Sequence, residues 1–182
     1  MNNSFTLVDR AVLFATAAHA AVKQVRKYTG EAYIVHPLEV MDILREFSVN
    51  PVSDEQLAAG ALHDVVEDTG VTIELIESQF GPKVAELVGY LTDVSKPEDG
   101  NRKVRKAIDR EHIALASPEA QSVKLADLCS NTRTIVAFDP DFARVYLGEK
   151  KKLLEVLQNA DPGLVRYAQM SLDASYRTLY GQ

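Results

Sequence analysis

Prolines divide this chain into helices. Pro37 and Pro82 stand where a first helical turn would begin, and Pro118, Pro140 and Pro162 each interrupt an otherwise helical pattern. At a helix start the missing N–H has no partner to lose, whereas in a central strand it removes a ladder bond. Between these marks no stretch sustains the period-two alternation of a half-buried strand. An all-α fold is therefore expected. A first helix carries Val8, Val12, Ala15, Ala18, Val22 and Val25 at helical spacing, and "KYTGEAY" (27–33) reads as a loop. A helix from about Pro37 to Phe47 follows, with His36 just before its start. Further helices are expected at 53–69, 72–80 and from Pro82 onward, then, after a loop at 95–101, at 101–116, 118–138, 140–159 and 161–180.

With 182 residues, 46% of them apolar, the chain can bury one sizeable core, and a single compact helical domain over 1–182 is expected. The lone Cys129 excludes an internal disulfide and suits a reducing, cytoplasmic setting. A net charge of −6 argues against generic binding of nucleic acid or of an anionic membrane. "AVLFATAAHAAV" (11–22) superficially resembles a signal-peptide core, but Asp9 offsets Arg10 before it and its apolar residues keep helical spacing. No run approaches the roughly eighteen apolar residues that span a bilayer.

The densest chemistry lies in "ALHDVVEDTG" (61–70), where His63, Asp64, Glu67 and Asp68 fall within six positions. On one helix Glu67 lies four residues after His63 and Asp68 four after Asp64, so all four share a face and the carboxylates repel. Leu57, Ala58, Ala61, Leu62, Val65 and Val66 line the opposite face for a core, "SDEQ" (53–56) reads as a capping box, and Gly70 as a stop. Carboxylates beside a core neutralise unless a positive partner holds them ionised, and a divalent cation is the most compact one. A solvated acidic face explains the same residues, and this stretch alone leaves both readings open. A metal would need further ligands. His36 in "YIVHP" and Asp127 in the largely apolar "SVKLADLCSN" are the candidates, although a cap or a pair with Lys124 would also account for Asp127.

His36, the His63-Asp64 pair and Asp127 reproduce the H…HD…D order of the HD superfamily of metal-dependent phosphohydrolases. More narrowly, "AHAAVKQVRKYTGEAYIVHP", "AAGALHDVVEDTG", "FGPKVAELVGYLTD" and "VKLADLCSNTRTI" resemble, in order, the hydrolase domain of the RelA/SpoT family. The resemblance implies an HD-domain helical bundle that removes the 3′-pyrophosphate of the alarmones ppGpp or pppGpp. No sequence is left for synthetase or regulatory domains, so the chain is similar to the stand-alone small alarmone hydrolases, some of which act on adenine alarmones or on NADPH. Two imidazoles and two carboxylates offer too few oxygens for Ca²⁺ and no thiolate. One Mn²⁺ fits them and is the metal that the resemblance implies.

By the same resemblance Glu67 and Asp68 are not ligands but orient the attacking water and handle its proton, Arg26 stacks on the base, and Asn131 lies near the ribose. Lys23, Arg26 and Lys27 cluster at the end of the first helix, so Lys27 is a further candidate contact. Residues 96–110 set six basic against three acidic residues, and from them Lys96 and Arg102 are the candidates for phosphate. Tyr146 walls the nucleoside site or packs in the core. His19 is expected to make a structural hydrogen bond, and Cys129 to be a small packed residue. The competing readings are a nucleotidase or phosphodiesterase of the wider HD superfamily and a metal-bearing nucleotide sensor without turnover.

Overall fold

The computed structural model describes residues 5–181. Its α-helices are α1 (Leu7–Ala21), α2 (Val35–Phe47), α3 (Asp54–Leu62), α4 (Val65–Thr69), α5 (Ile73–Phe80), α6 (Pro82–Leu91), α7 (Arg102–Ala114), α8 (Pro118–Phe138), α9 (Pro140–Val156) and α10 (Pro162–Tyr180). Pro97–Asp99 forms a 3-10 turn within the expected loop. Among the described residues the extended structure is one isolated antiparallel bridge, Val25 to Ala32. The all-α expectation is met.

Side-chain caps explain where most helices begin. Thr6 and Asp9 close a reciprocal box at α1, and Ser53, Thr72, Asn101, Ser117 and Asp139 each accept an orphan N–H of the helix that follows. Three boundaries depart from expectation. The first helix ends at Ala21, so Lys23, Arg26 and Lys27 lie in the loop beyond it. The second begins at Val35, which puts His36 inside the helix and Pro37 third, since every N–H of a first turn lacks an intrahelical partner. The helix expected over 53–69 breaks at His63 and Asp64. In an unbroken helix the Gly60 carbonyl would receive the Asp64 N–H; instead it accepts His63 Nδ1 at 2.9 Å, and α4 starts afresh behind Asp64. The capping box at its start is half made, because the Gln56 amide reaches across to the Glu119 carbonyl.

α3 is the axis of the molecule. Every residue from Gln56 to Leu62 is buried, and α1, α2, α6 and α8 pack around it. The run Ala58-Ala59-Gly60-Ala61 lets them approach closely: a Cβ on Gly60 would lie 3.3 Å from Leu44 Cδ1. α7 is seated differently, on α6, α8 and α9, with Asp109 and Ile113 as its buried residues. Asp109 accepts from Val94 N, Ser95 N and Ser95 Oγ and so ties α7 to the preceding loop.

The chain is closed by Asp161, whose carboxylate accepts from Val49 N, Asn50 N, Asn50 Nδ2 and Gly163 N, joining the start of α10 to the end of α2. A Cβ on Gly163 would come within 2.0 Å of the Phe47 carbonyl oxygen. Backbone against backbone cannot yield as a side chain can. Gly163→Ala is therefore expected to cost about 3 kcal/mol or more and to lower Tm by roughly 6–12 °C. A calorimetric Tm equal to that of the native chain would contradict this packing.

Candidate metal centre

The four residues singled out as ligands come from α2 (His36), from the α3–α4 break (His63, Asp64) and from the middle of α8 (Asp127). The fold brings His36, His63 and Asp64 within 4.8 Å of one another and sets Asp127 against both imidazoles. His36 Nε2 lies 3.2 Å from His63 Nε2, 3.1 Å from Asp127 Oδ1 and 3.6 Å from Asp64 Oδ2. His63 Nε2 lies 3.0 Å from Asp64 Oδ2 and 3.7 Å from Asp127 Oδ1. Both imidazoles are buried.

Hydrogen bonds behind the rings determine which nitrogen faces inward. A carbonyl only accepts, so His63 Nδ1 donates to Gly60. Ser130 Oγ donates to Glu39 at 2.7 Å and is left to accept from His36 Nδ1 at 2.9 Å. In the neutral rings both Nε2 atoms then turn lone pairs toward each other and toward two carboxylate oxygens. Such a set repels unless positive charge lies among it. Burial alone would lower His63, but the charge and hydrogen bond of Asp64, with Asp127 behind, push it up to about 9. Burial alone would raise both carboxyls; His63 in one case and Lys124 with His36 in the other hold Asp64 and Asp127 well below the usual range. A divalent cation supplies the missing charge without needing a proton, and two nitrogens with two oxygens suit a first-row metal. The residues present fit one.

A second layer supports the first. Tyr33 OH donates to Asp64 Oδ2 at 2.5 Å, Asn131 Nδ2 to Asp127 Oδ1 at 2.6 Å, and Lys124 Nζ sits 3.3 Å from Asp127 Oδ2. Asn131 does share the face of Asp127. The pair with Lys124 is present too, through the carboxylate oxygen other than the one that faces the imidazoles. Tyr33 escaped the sequence reading, although it begins the "YIVHP" block that yielded His36.

The centre forms one end of a cleft of about 660 Å³. Glu67 and Asp68 of α4 line it together with Arg102, Lys103, Lys106 and Arg110 of α7, and Lys106 pairs with Asp93 beside Glu67. The four basic residues share a helical face, the pattern hidden in the basic run. Desolvation in the cleft pushes the Glu67 carboxyl up to about 7, with Asp93 and Asp64 adding to it against Lys124. Asn131 and Tyr146 form part of the wall, and Tyr146 also packs against the core. Arg102 makes a two-pronged pair with Glu149, at 2.8 and 2.7 Å.

Three candidate contacts lie outside the lining. Arg26 is buried behind Asn131, its guanidinium donating to Asn131 Oδ1 at 3.4 Å and Thr134 Oγ1 at 3.2 Å. Lys27 is exposed over the Tyr28 ring, 3.7 Å from Asp139. Lys96 caps the 3-10 turn, where its N–H bonds Asp99. His19 makes the expected structural hydrogen bond, to Gln24, and Cys129 is buried. No helix among the described residues is long and apolar enough to cross a membrane.

Comparison with known proteins gives a consistent set of relatives. The HD domain profile matches residues 11–162. A probable guanosine-3′,5′-bis(diphosphate) 3′-pyrophosphohydrolase of Synechocystis sp. is 36% identical over 176 residues, 95% of this chain and 22% of that protein. A protein of Vibrio cholerae named guanosine-3′,5′-bis(diphosphate) 3′-pyrophosphohydrolase is 40% identical over 119 residues, 64% of this chain and 16% of that one. The chain thus spans about a fifth of the length of these curated relatives. The solved structure of a metazoan ortholog of SpoT, described as hydrolysing ppGpp and playing a role in starvation responses, superposes with a TM-score of 0.80 at 28% identity, covering 97% of both chains.

Proposed function

Because the chain belongs to the HD domain family, we propose that it is a metal-dependent phosphohydrolase that removes the 3′-pyrophosphate of an alarmone nucleotide such as ppGpp. The observation that carries this reading is the approach of Asp64 Oδ2 and Asp127 Oδ1 to the paired His36 and His63 Nε2 atoms at 3.0–3.7 Å, beside a cleft lined by Glu67, Asp68 and four basic side chains of α7. The named activity of the metazoan structural relative, which matches this chain end to end, supports it.

His36, His63, Asp64 and Asp127 would hold one ion, and we propose Mn²⁺. Bound there, it would polarise a phosphate oxygen and acidify a water. Glu67 would take the proton as the water oxygen bonds to phosphorus. The bond from phosphorus to the ribose 3′-oxygen breaks, that oxygen is protonated, and pyrophosphate leaves. Asp68 would orient the water, and Asn131 and Tyr146 would flank the nucleoside. Lys124, pushed upward by Asp127 despite burial, stays charged beside the departing phosphates. Arg102 and its neighbours on α7 would face the phosphates at the other end of the substrate.

A panel of ppGpp, its adenine analogue, GTP and NADPH, assayed with Mn²⁺ for pyrophosphate or phosphate release, tests the proposal. Loss of the 3′-pyrophosphate is expected to abolish turnover, and exchange of guanine for adenine to change kcat/KM far less. Arg26→Ala should chiefly raise KM, because a stacked or bracing guanidinium helps ground and transition states alike. Rapid hydrolysis of GTP with none of ppGpp would move the protein to the broader HD nucleotidases.

A further inference from the structure

α1 ends in a conformation that its sequence does not favour. Lys23 has a φ of 56°, the left-handed region in which a side chain is strained. Lys23 N bonds the Ala20 carbonyl and Gln24 N the His19 carbonyl, a Schellman closure with lysine where glycine is usual. Its result is to fix Gln24 against His19. His19 then holds Gln24 a second time, since its Nδ1 lies 2.7 Å from Gln24 Oε1. The other end of the same amide, Gln24 Nε2, donates to Asp68 Oδ2 at 2.8 Å.

Proton positions in this chain of contacts are determined. Asp68 only accepts, so the Gln24 nitrogen faces it and the Gln24 oxygen faces His19, which must donate from Nδ1. His19 Nε2 is left buried with no polar partner among the described residues, a cost that an apolar residue would not carry. The His19 ring also packs on Tyr33, centroids 4.5 Å apart, and Tyr33 OH reaches the ligand Asp64. A strained backbone and an orphaned imidazole nitrogen thus converge on Asp68, and through Tyr33 on Asp64. Closing α1 requires neither the lysine nor the histidine at these positions.

From this geometry we infer that Gln24, clamped by His19, is a positioning residue for Asp68. It occupies one carboxylate oxygen and turns the other toward the cleft. The inference rests on the reading of Asp68 as the residue that orients the attacking water. It assigns a role to a segment that holds no metal ligand and reaches the cleft lining through Asp68 and Tyr33.

The test is a cycle of purified Gln24→Met, Asp68→Asn and the double variant, assayed for Mn²⁺-dependent pyrophosphate release from ppGpp. Methionine keeps the length and shape of glutamine and removes both polar atoms. Gln24→Met is expected to lower kcat about tenfold, the scale of one lost orienting hydrogen bond, with KM within about twofold and metal content unchanged. In the Asp68→Asn background the same substitution should change kcat by less than about twofold. Gln24→Asn, too short to span His19 and Asp68, should repeat the result should the methionine variant fold poorly. Near-normal turnover in Asp68→Asn would overturn the reading of Asp68 itself. A slow Asp68→Asn beside a Gln24→Met of native kcat, or equal losses in both backgrounds, would overturn the positioning role alone.

Discussion

Replacing Asp127 by Ala is expected to empty the metal centre and reduce turnover to background. Asp127 Oδ1 is the oxygen 3.1 Å from His36 Nε2, and its partner oxygen holds Lys124 at 3.3 Å. Removal therefore does more than delete one ligand. It frees the Lys124 ammonium of its partner beside two imidazoles, so that Asp64, Asp93 and Glu67 are taken up in balancing it and the site holds a divalent cation less well. Elemental analysis of the purified variant, with its Tm measured alongside, reads the outcome. Full metal occupancy in a folded Asp127→Ala would break the ligand assignment.

Glu67→Gln and Asp68→Asn should behave in the opposite way, keeping the metal and losing the rate. Neither carboxylate is among the four that meet at the centre, and a lost general base or water-orienting group lowers kcat by roughly 10² or more. pH separates the two. Desolvation, Asp93 and Asp64 push Glu67 up to about 7 against Lys124, and a bound cation would bring it lower. A base must be ionised, so kcat should rise with pH through a limb at or below about 7 and level off above it. Glu67→Gln should lose that limb along with the rate, whereas native turnover in both variants would remove these residues from the mechanism.

What the amino-acid sequence could foretell follows from how local each cause is. Caps and prolines act within one turn, so the later helices fell within a few residues of their places. The break at His63 stayed hidden because Leu57, Ala58, Ala61, Leu62, Val65 and Val66 keep helical spacing straight across it. Only the competition of the His63 ring for the Gly60 carbonyl ends the helix, and periodicity carries no trace of that. Pro37 misplaced the start of α2 because proline is equally tolerated throughout a first turn. At the centre, residue type and order singled out His36, His63, Asp64 and Asp127, which the fold sets near one another. Tyr33 and Gln24 did not stand out, since their roles depend on the path of the loop after α1. The basic run divided by helical phase: Arg102, Lys103, Lys106 and Arg110 turn one way, while Lys96 sits before the helix and shares no face with them.

The two walls of the cleft are held with unequal firmness. α3 is buried from Gln56 to Leu62 among α1, α2, α6 and α8, whereas α7 keeps Asp109 and Ile113 as its buried residues. An element with fewer buried contacts is expected to open at a smaller free-energy cost. In the proposed reaction the residues that would hold the metal keep their spacing because the interior fixes them, and α7, with its basic face, would be the wall that adjusts to the phosphates of an entering or leaving nucleotide.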